Sequence, residues 1–328
     1  DAPRFPHRGL LIDTARHFQP VPALNALIDA MAMSKLNVLH WHMTDDQSWP
    51  IASRAHPEFP EHGAFSEGER YTWGEMVGLV EFARARGVRV VPELDMPGHS
   101  TSWSLAHPEI FPTNCTSALD PAKESVYTMV SELLADWADV FTDEVFHLGT
   151  DEVPEACWNN TQDLAFMASQ GLTTLDDLFG LFVHRAAGIA SSQGKRPAVW
   201  DESLLRAPPP RNAVVQVWHC CSGDLVQRAL DLGNDVIYSP DPWWYLDALA
   251  DNSSYMYDAG GHAPLELAKT PATGTARVLG GEACMWGETV DPSVLEATVW
   301  PRAAAVAEQL WSQASATSGG FDAEAQTR

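Results

Sequence analysis

The sequence predicts an α/β protein built as a closed (β/α)8 TIM barrel, and three observations lead to that prediction. Short apolar segments recur eight times along the 328 residues, and most are too apolar to leave one face in water. Amphipathic segments of helical length separate several of them, which is typical of a parallel sheet covered by helices. Eight strands in this rhythm favour a closed barrel over an open sheet.

The predicted strands, in chain order, are 9–13, 36–43, 88–95, 144–152, 197–202, 213–218, 235–240 and 278–286. A helix predicted over 21–35 carries Pro22 in its first turn, where a proline removes no helical hydrogen bond. Helices predicted over 72–87 and 175–194 each end at a glycine suited to a C-cap. The connection 241–277 is long and polar, which predicts a functional loop.

Composition and charge exclude some partners. We find no linker, repeat or low-complexity tract, so we expect one barrel domain over residues 1–328. The net charge of −24 argues against nucleic acid, because its phosphates attract basic surfaces. No run of about 18 uncharged apolar residues occurs, which predicts no membrane span.

Cysteines and glycosylation motifs indicate the compartment. The five cysteines have no CxxC spacing, so no zinc site of that kind is predicted. Three N-x-S/T motifs begin at Asn114, Asn159 and Asn252, each in a polar, turn-like segment. Together with disulfides these glycosylation motifs would place the protein in an oxidising compartment, secreted or lysosomal/vacuolar.

Active sites of such barrels form at the carboxyl ends of the strands, and polar and aromatic residues collect there in this sequence. They are Asp13, Arg16, His17, His40, His42, Asp45, Asp46, Glu93, Asp95, His99, Asp151, Glu152, Trp200, Asp201, Glu202, Trp218, His219, Trp244, Tyr245, Asp247, Trp286 and Glu288. Converging carboxylates between flat aromatic walls suit a neutral polyhydroxy ligand such as a sugar. Hydrolysis of a glycoside needs a carboxylic acid for the leaving oxygen and a second group that stabilises the developing cation.

The residues alone leave other interpretations open. His40, His42, Asp45, Asp46 and His99 could hold a metal in an amidohydrolase-like barrel, because alternate strand residues share a face. We favour hydrogen-bonded histidines in the barrel floor and predict no metal and no cofactor.

Each candidate residue also has a purely structural explanation that involves neither catalysis nor substrate binding. The Asp151–Glu152 pair could cap a helix, and Asp201–Glu202 is the same dipeptide. A tryptophan at a strand end is more often a core residue than a sugar platform, and Arg16 could belong to a surface ion pair.

Seven segments resemble, in order and with intact spacing, the family 20 glycoside hydrolases, the β-N-acetylhexosaminidases. They are FPHRGLLIDTARHF, KLNVLHWHMTDDQSWP, RVVPELDMPGHSTSW, HLGTDEV, VVQVW, WYLD and GGEACMWGE, between Arg4 and about Trp311. The resemblance implies a (β/α)8 catalytic barrel that removes terminal β-linked N-acetylglucosamine or N-acetylgalactosamine with retention. The substrate's own 2-acetamido oxygen attacks the sugar, which makes this family an exception to the two-carboxylate mechanism of most glycoside hydrolases.

The resemblance also implies a role for each site residue. Glu152 is similar to the acid that protonates the leaving oxygen, and we expect burial beside other carboxylates to keep it protonated. Asp151 and Tyr245 are similar to the residues that position the acetamido group. Further substrate-binding residues follow from the same resemblance: Trp200, Trp218 and Trp286 as walls, Arg16, Asp247 and Glu288 as hydroxyl clamps, and Asp45 with His99 as a relay to Glu152.

The chain also departs from the family pattern. Thr150 stands where the family usually has glycine, which puts the environment of the acid in doubt. The small domain that usually precedes the barrel and the usual final helix are expected to be missing. Cys115 and Cys157 resemble a disulfide pair of the animal enzymes, and Cys284 is expected to be buried.

The resemblance also indicates which partners to expect, and two other functions remain as alternatives. It implies an oligosaccharide or glycoconjugate substrate, and family members are often homodimers. The rival hypotheses are an inactive sugar-binding homologue and the metal-dependent barrel.

Overall fold

The computed structural model describes residues 2–219, 223–248 and 275–312, and these ranges form a closed barrel of eight parallel strands. The strands are β1 (His7–Asp13), β2 (Val38–His42), β3 (Arg89–Glu93), β4 (Val145–His147), β5 (Arg196–Trp200), β6 (Val214–Val217), β7 (Asp235–Tyr238) and β8 (Val278–Met285). They follow one another around the barrel in chain order, and β8 pairs with β1 to close it. The predicted (β/α)8 fold is therefore confirmed.

The described helices lie outside the barrel or in the loops at its ends. They are α1 (Val21–Met33), α2 (Glu58–Gly63), α3 (Trp73–Arg84), α4 (Glu124–Trp137), α5 (Thr161–Gln170), α6 (Leu175–Ser192), α7 (Glu202–Arg206), α8 (Gly223–Leu232), α9 (Leu295–Val299) and α10 (Arg302–Trp311). Short 3-10 helices cover Thr101–Leu105, Pro108–Ile110 and Glu155–Trp158. Among the described residues, no helix combines the length and apolar character that a bilayer crossing requires.

Local sequence explains where the helices begin. Thr72 caps α3 and Glu75 returns a hydrogen bond to the cap, which is a capping box. Thr174 and Asp177 do the same for α6. Pro22 lies in the first turn of α1, as predicted.

The barrel interior has two layers of different chemistry. An apolar layer takes one side chain from each of six strands: Val38, Val91, Val145, Ala198, Val214 and Ile237. The next inward positions, such as His40, Glu93 and His147, are charged or polar and at most 1% exposed. Gly9 on β1 makes room for this second layer, because a Cβ there would lie 2.4 Å from Cγ of Glu282.

Strand ends differ most from prediction after β4. The predicted strand 144–152 contains only three strand residues, since Gly149 and Thr150 have positive φ angles of 68° and 87° and turn the chain. The disulfide between Cys115 and Cys157 is present, with 5.4 Å between the Cα atoms. Cys284 is buried, as expected.

Candidate active site

A cavity of about 260 Å³ opens at the carboxyl ends of the strands. The described residues that line it are Arg16, His99, Asp151, Glu152, Trp200, Trp218, Asp241, Tyr245, Asp247, Trp286 and Glu288. Ten of the eleven predicted site residues are in this set, so positions from seven strand ends meet in one pocket. Asp45 is the exception, because it is fully buried beneath the lining. It cannot contact a ligand directly, and of its predicted roles only that of a relay partner fits its position.

Aromatic rings form one side of the cavity. The ring centroids of Trp218 and Tyr245 lie 6.3 Å apart and nearly parallel. Trp286 follows at 6.2 Å from Tyr245 and at 6.0 Å from Trp200. Trp200 is also fixed from below, since its Nε1 donates to Glu93 Oε1 at 2.8 Å. Four rings held in this way provide flat apolar surfaces suited to the face of a sugar ring.

The turn after β4 aims two acidic residues at the cavity. Gly149 lies so close to Asp95 that a Cβ would overlap its carboxylate, at 1.7 Å from Oδ1. The backbone N–H of Thr150 donates to the same oxygen at 3.2 Å. Thr150 and Glu152 both have positive φ, which is costly for residues other than glycine and is common at functional sites. The tight turn therefore orients Asp151 and Glu152 at the expense of backbone strain.

Glu152 lies at the mouth of the cavity beside His99. Its side chain is 62% exposed, so the prediction that it is buried among carboxylates is wrong. His99 Nε2 is 3.5 Å from Oε2 of Glu152, and hydrogen bonding with His99 lowers the pKa of Glu152. Behind His99, its Nδ1 donates to Asp45 Oδ1 at 3.2 Å. Burial opposes the charge of His99, but Asp151, Asp95 and Asp45 raise its pKa far above the ordinary histidine value.

Asp151 is paired with a second carboxyl group. Burial raises the pKa of Asp151, and burial together with the charge of Asp151 raises the pKa of Asp95 still further. Two carboxylates in contact hold on to one proton between them. Because the pKa of Asp95 is raised further than that of Asp151, the proton is favoured on Asp95 and the negative charge on Asp151. Asp151 Oδ1 is buried and has no hydrogen-bond partner in the described structure, so a strong acceptor is available in the pocket.

Arg16 supplies the positive charge in the cavity wall. Its guanidinium donates to Asp13 at 3.0 Å and lies 2.8 Å from Asp45 Oδ2 and 3.9 Å from Glu288 Oε1. It also lies 5.2 Å from the ring centroid of Trp286. Across the cavity, burial raises the pKa of Asp247 to about 6. Arg16 is therefore a largely buried, multiply paired side chain in the cavity wall, which excludes the interpretation as a surface ion pair.

An alternating chain of imidazoles and carboxylates runs from the pocket into the barrel. His42 Nε2 donates to Asp45 at 2.9 Å and its Nδ1 donates to Glu93 at 2.6 Å. The chain continues through His40, which is 3.2 Å from Glu93 and donates to Glu282 at 2.9 Å. It ends at His7 Nε2, 2.6 Å from the other oxygen of Glu282. The sequence does not predict this connection, because it joins strands that are distant in the chain.

The burial of His40 and His42 bears on their two predicted roles, as metal ligands or as hydrogen-bonded histidines of the barrel floor. His40 and His42 are at most 1% exposed and neither lines the cavity. A catalytic metal needs a coordination position that faces the substrate. The two rings lie below the lining, which supports hydrogen-bonded histidines in the barrel floor.

Asp241 and Glu202 contribute to the site, but the sequence predicted no individual role for either. Asp241 lines the cavity from the loop after β7, and burial raises its pKa. Glu202 accepts hydrogen bonds from Trp218 Nε1, at 3.2 Å to each carboxylate oxygen, and burial raises its pKa to about 8. Asp241 is the first residue of the segment that also carries Tyr245 and Asp247. This position in the sequence could have indicated that it belongs to the site. Most of the predicted functional loop 241–277, with Asn252, lies outside the described residues, as do Cys220 and Cys221.

A closed (β/α)8 barrel with an acidic pair and tryptophans at one mouth is typical of glycoside hydrolases, and comparison identifies the family. The protein-family model described as glycosyl hydrolase family 20, catalytic domain, matches residues 5–314 of this chain. The chain belongs to this family.

Individual relatives agree. Beta-hexosaminidase 1 of Arabidopsis thaliana is 41% identical over 324 residues, which cover 98% of this chain and 58% of that protein. The chitobiase structure from Flavobacterium johnsoniae is 34% identical with a TM-score of 0.85, covering 95% of this chain and 49% of that one. An exo β-N-acetylglucosaminidase from Vibrio harveyi, solved with N-acetylglucosamine, is 27% identical with a TM-score of 0.85 and coverages of 96% and 55%. The chain thus spans about half the length of the relatives it matches.

Proposed function

We propose that this chain is the catalytic domain of an exo-acting β-N-acetylhexosaminidase. It would remove terminal β-linked N-acetylglucosamine or N-acetylgalactosamine by a retaining, substrate-assisted mechanism. The observation that carries the proposal is the meeting of Asp151, Glu152 and Tyr245 in one cavity walled by tryptophans. The relatives named β-hexosaminidase, chitobiase and exo β-N-acetylglucosaminidase support the same substrate class.

Glu152 would act as the general acid. In the open pocket it is ionised, because His99 lowers its pKa. A sugar that covers the mouth would displace water from Glu152 and favour its protonated form. The proton held by His99, 3.5 Å away, can then pass to Glu152 and on to the leaving oxygen. After departure of the aglycone, the Glu152 carboxylate takes a proton from the attacking water.

Asp151 would position the internal nucleophile. Its unpartnered oxygen can accept the acetamido N–H, while the Tyr245 hydroxyl donates to the acetamido oxygen. The acetamido oxygen bonds to C1 as the C1–aglycone bond breaks, which gives a cyclic oxazolinium. The anionic charge of Asp151 stabilises that cation at the place where it forms.

The test compares substrates that differ in their need for an acid. For an alkyl or sugar leaving group, Glu152→Gln should lower kcat/KM by about 10²–10⁴-fold. For an aryl leaving group with a low pKa the loss should be smaller, whereas Asp151→Asn should slow both substrates equally. A β-glucoside without the acetamido group should barely react.

Glu144→Gln is a matched control, because Glu144 is exposed directly before β4, at the opposite end of the strand that leads to Glu152. Wild-type turnover of both substrates by Glu152→Gln would refute the acid assignment. Loss of activity on chelation by EDTA would favour the metal-dependent alternative. Sugar binding without turnover by the native chain would favour an inactive homologue.

The expected compartment is secreted or lysosomal/vacuolar. The disulfide supports an oxidising environment, and Asn114 and Asn159 beside it are both exposed, as glycosylation requires. Expression in a secretory host should give a chain that loses mass on treatment with a peptide N-glycosidase. An unmodified secreted chain would contradict use of these sites.

A further inference from the structure

Two histidines outside the active-site cavity approach one carboxylate oxygen. His56 Nδ1 is 3.1 Å and His107 Nε2 is 2.7 Å from the same atom, Oε1 of Glu58. One donor atom from each of the three residues lies within 4.8 Å of the others. Two imidazoles and a carboxylate that converge on one point form a donor set that suits zinc and related divalent ions.

The outer ring nitrogens are arranged as in metal sites. His56 Nε2 donates to Glu132 Oε2 at 3.0 Å, and His107 Nδ1 donates to Glu109 Oε1 at 2.8 Å. Histidines that bind a metal through one nitrogen almost always donate the other N–H to a carboxylate or carbonyl, which fixes the ring and makes it a stronger ligand. Here both rings already have that outer partner.

The local charge also favours a cation. Three carboxylates surround two imidazoles, and the nearby Lys123 ammonium is directed to the backbone oxygens of Glu109 and Phe111. A divalent ion between the rings and Glu58 would lie among these three carboxylates.

The cluster is accessible and connects separate parts of the fold. The side chains of His56, His107 and Glu58 are 13%, 18% and 33% exposed, so an ion can enter and solvent can complete its coordination. His56 lies in the segment before α2, His107 between two 3-10 helices after β3, and Glu132 on α4. An ion would therefore tie two loops together at the surface of α4.

We propose that His56, Glu58 and His107 form a site for a divalent transition-metal ion of the zinc class, with Glu109 and Glu132 as outer partners. The ion would cross-link the loops after β2 and β3. The site is separate from the residues of the proposed hydrolysis, and the inference does not depend on that function.

The experiment titrates metal-free chain with Zn²⁺ by calorimetry and follows thermal unfolding. The native chain should bind one Zn²⁺ that is absent from His56→Gln/His107→Gln, and Zn²⁺ should raise the melting temperature of the native chain but not that of this double variant. His62→Gln/His184→Gln is the matched control, because both histidines are exposed and lie outside the cluster. It should bind as the native chain does.

A second measurement covers the case in which the double variant fails to fold. Glu109→Gln/Glu132→Gln keeps all three ligands and should weaken Zn²⁺ binding by about 10–100-fold. Co²⁺ added to the native chain should give visible absorption of a nitrogen–oxygen site that Zn²⁺ abolishes. Equal Zn²⁺ affinity and stoichiometry in native and ligand-deleted chains, or no Co²⁺ absorption, would overturn the proposal. Rates of glycoside hydrolysis are a separate readout, so failure of either proposal can be recognised by itself.

Discussion

At the level of single residues, the proton shared by His99 and Glu152 determines how this pocket responds to pH. His99 has a strongly raised pKa and Glu152 a lowered one, so the resting pair is an imidazolium beside a carboxylate. The pair still holds one shared proton when that proton moves from His99 to Glu152. The pair therefore titrates as a unit and keeps its proton to higher pH than a lone carboxyl group.

We predict that His99→Gln moves the basic limb of the kcat/KM profile to lower pH by about 1 unit or more, since Glu152 alone must then hold the proton. The measurement is kcat/KM between pH 3 and 9. His184→Gln, in which an exposed histidine that donates to Pro208 is replaced, should leave the limb in place. An unchanged limb in His99→Gln would mean that the two groups do not share the proton.

Among the described residues other than glycine, Thr150 has the largest of the positive φ angles, and it is β-branched. Its φ is 87°, its side chain is buried, and its Oγ1 has no hydrogen-bond partner in the described structure. Thr150→Gly should raise the free energy of unfolding by about 1 kcal/mol, because relief of the strain exceeds the entropy that glycine adds to the unfolded chain. Urea unfolding measures this difference. Thr150→Ala keeps the Cβ and should raise the free energy of unfolding by less than Thr150→Gly does. An equal or larger increase would show that the unpaired hydroxyl destabilises the native chain, and not the φ angle.

Among the structural elements, the loops after β3 and β4 depend on a covalent link. The disulfide joins Cys115 to Cys157, 42 residues apart, across the strand and turn that carry Asp151 and Glu152. Cys115→Ser/Cys157→Ser should lower the free energy of unfolding by about 4 kcal/mol, from the chain entropy of a loop of this length. Thermal and urea unfolding of the oxidised native chain and the double variant provide the comparison.

Reduction of the native chain provides the control for this prediction, since it breaks the same bond without a substitution. It should reproduce the loss and have no effect on the double variant. If the double variant were as stable as the oxidised native chain, the link would not contribute to the folded state.

For the whole molecule, the pKa values of the buried ionisable groups predict that the folded state is most stable at mildly acidic pH. Burial opposes the charge of His40, but Glu282 and Glu93 raise its pKa to about 9. Burial also opposes the charges of Asp45 and Glu282, yet their histidine partners lower both pKa values. Raised histidine pKa values add stability that is complete below the unfolded value of about 6.5 and is lost as the pH rises towards 9. Lowered carboxyl values add stability that is complete above about 4 and is lost in stronger acid.

We therefore predict maximal stability between about pH 4.5 and 6.5, from the pKa values of these groups in the unfolded chain. Urea unfolding from pH 3 to 9 checks it. Glu202 acts in the same direction on the alkaline side, because burial raises its pKa to about 8. Glu202→Gln should reduce the fall in stability between pH 5 and 7.5, by up to about 1.4 kcal/mol per pH unit. A maximum above pH 7.5 would contradict the prediction.

The barrel could be predicted from the sequence, because eight apolar strands separated by amphipathic helices are covered on both faces when the sheet closes on itself. It also brought Asp151, Glu152 and Tyr245 to one mouth, since parallel strands end on the same side. Tertiary structure alone decided which groups meet: His99 against Glu152, Asp45 below the lining, and His7 through Glu282 and His40 to Glu93. These contacts set exposure and protonation, and both depend on distances between side chains that are up to 275 residues apart. A pattern along one chain predicts which side chains face inward, whereas an electrostatic field depends on every neighbour in space.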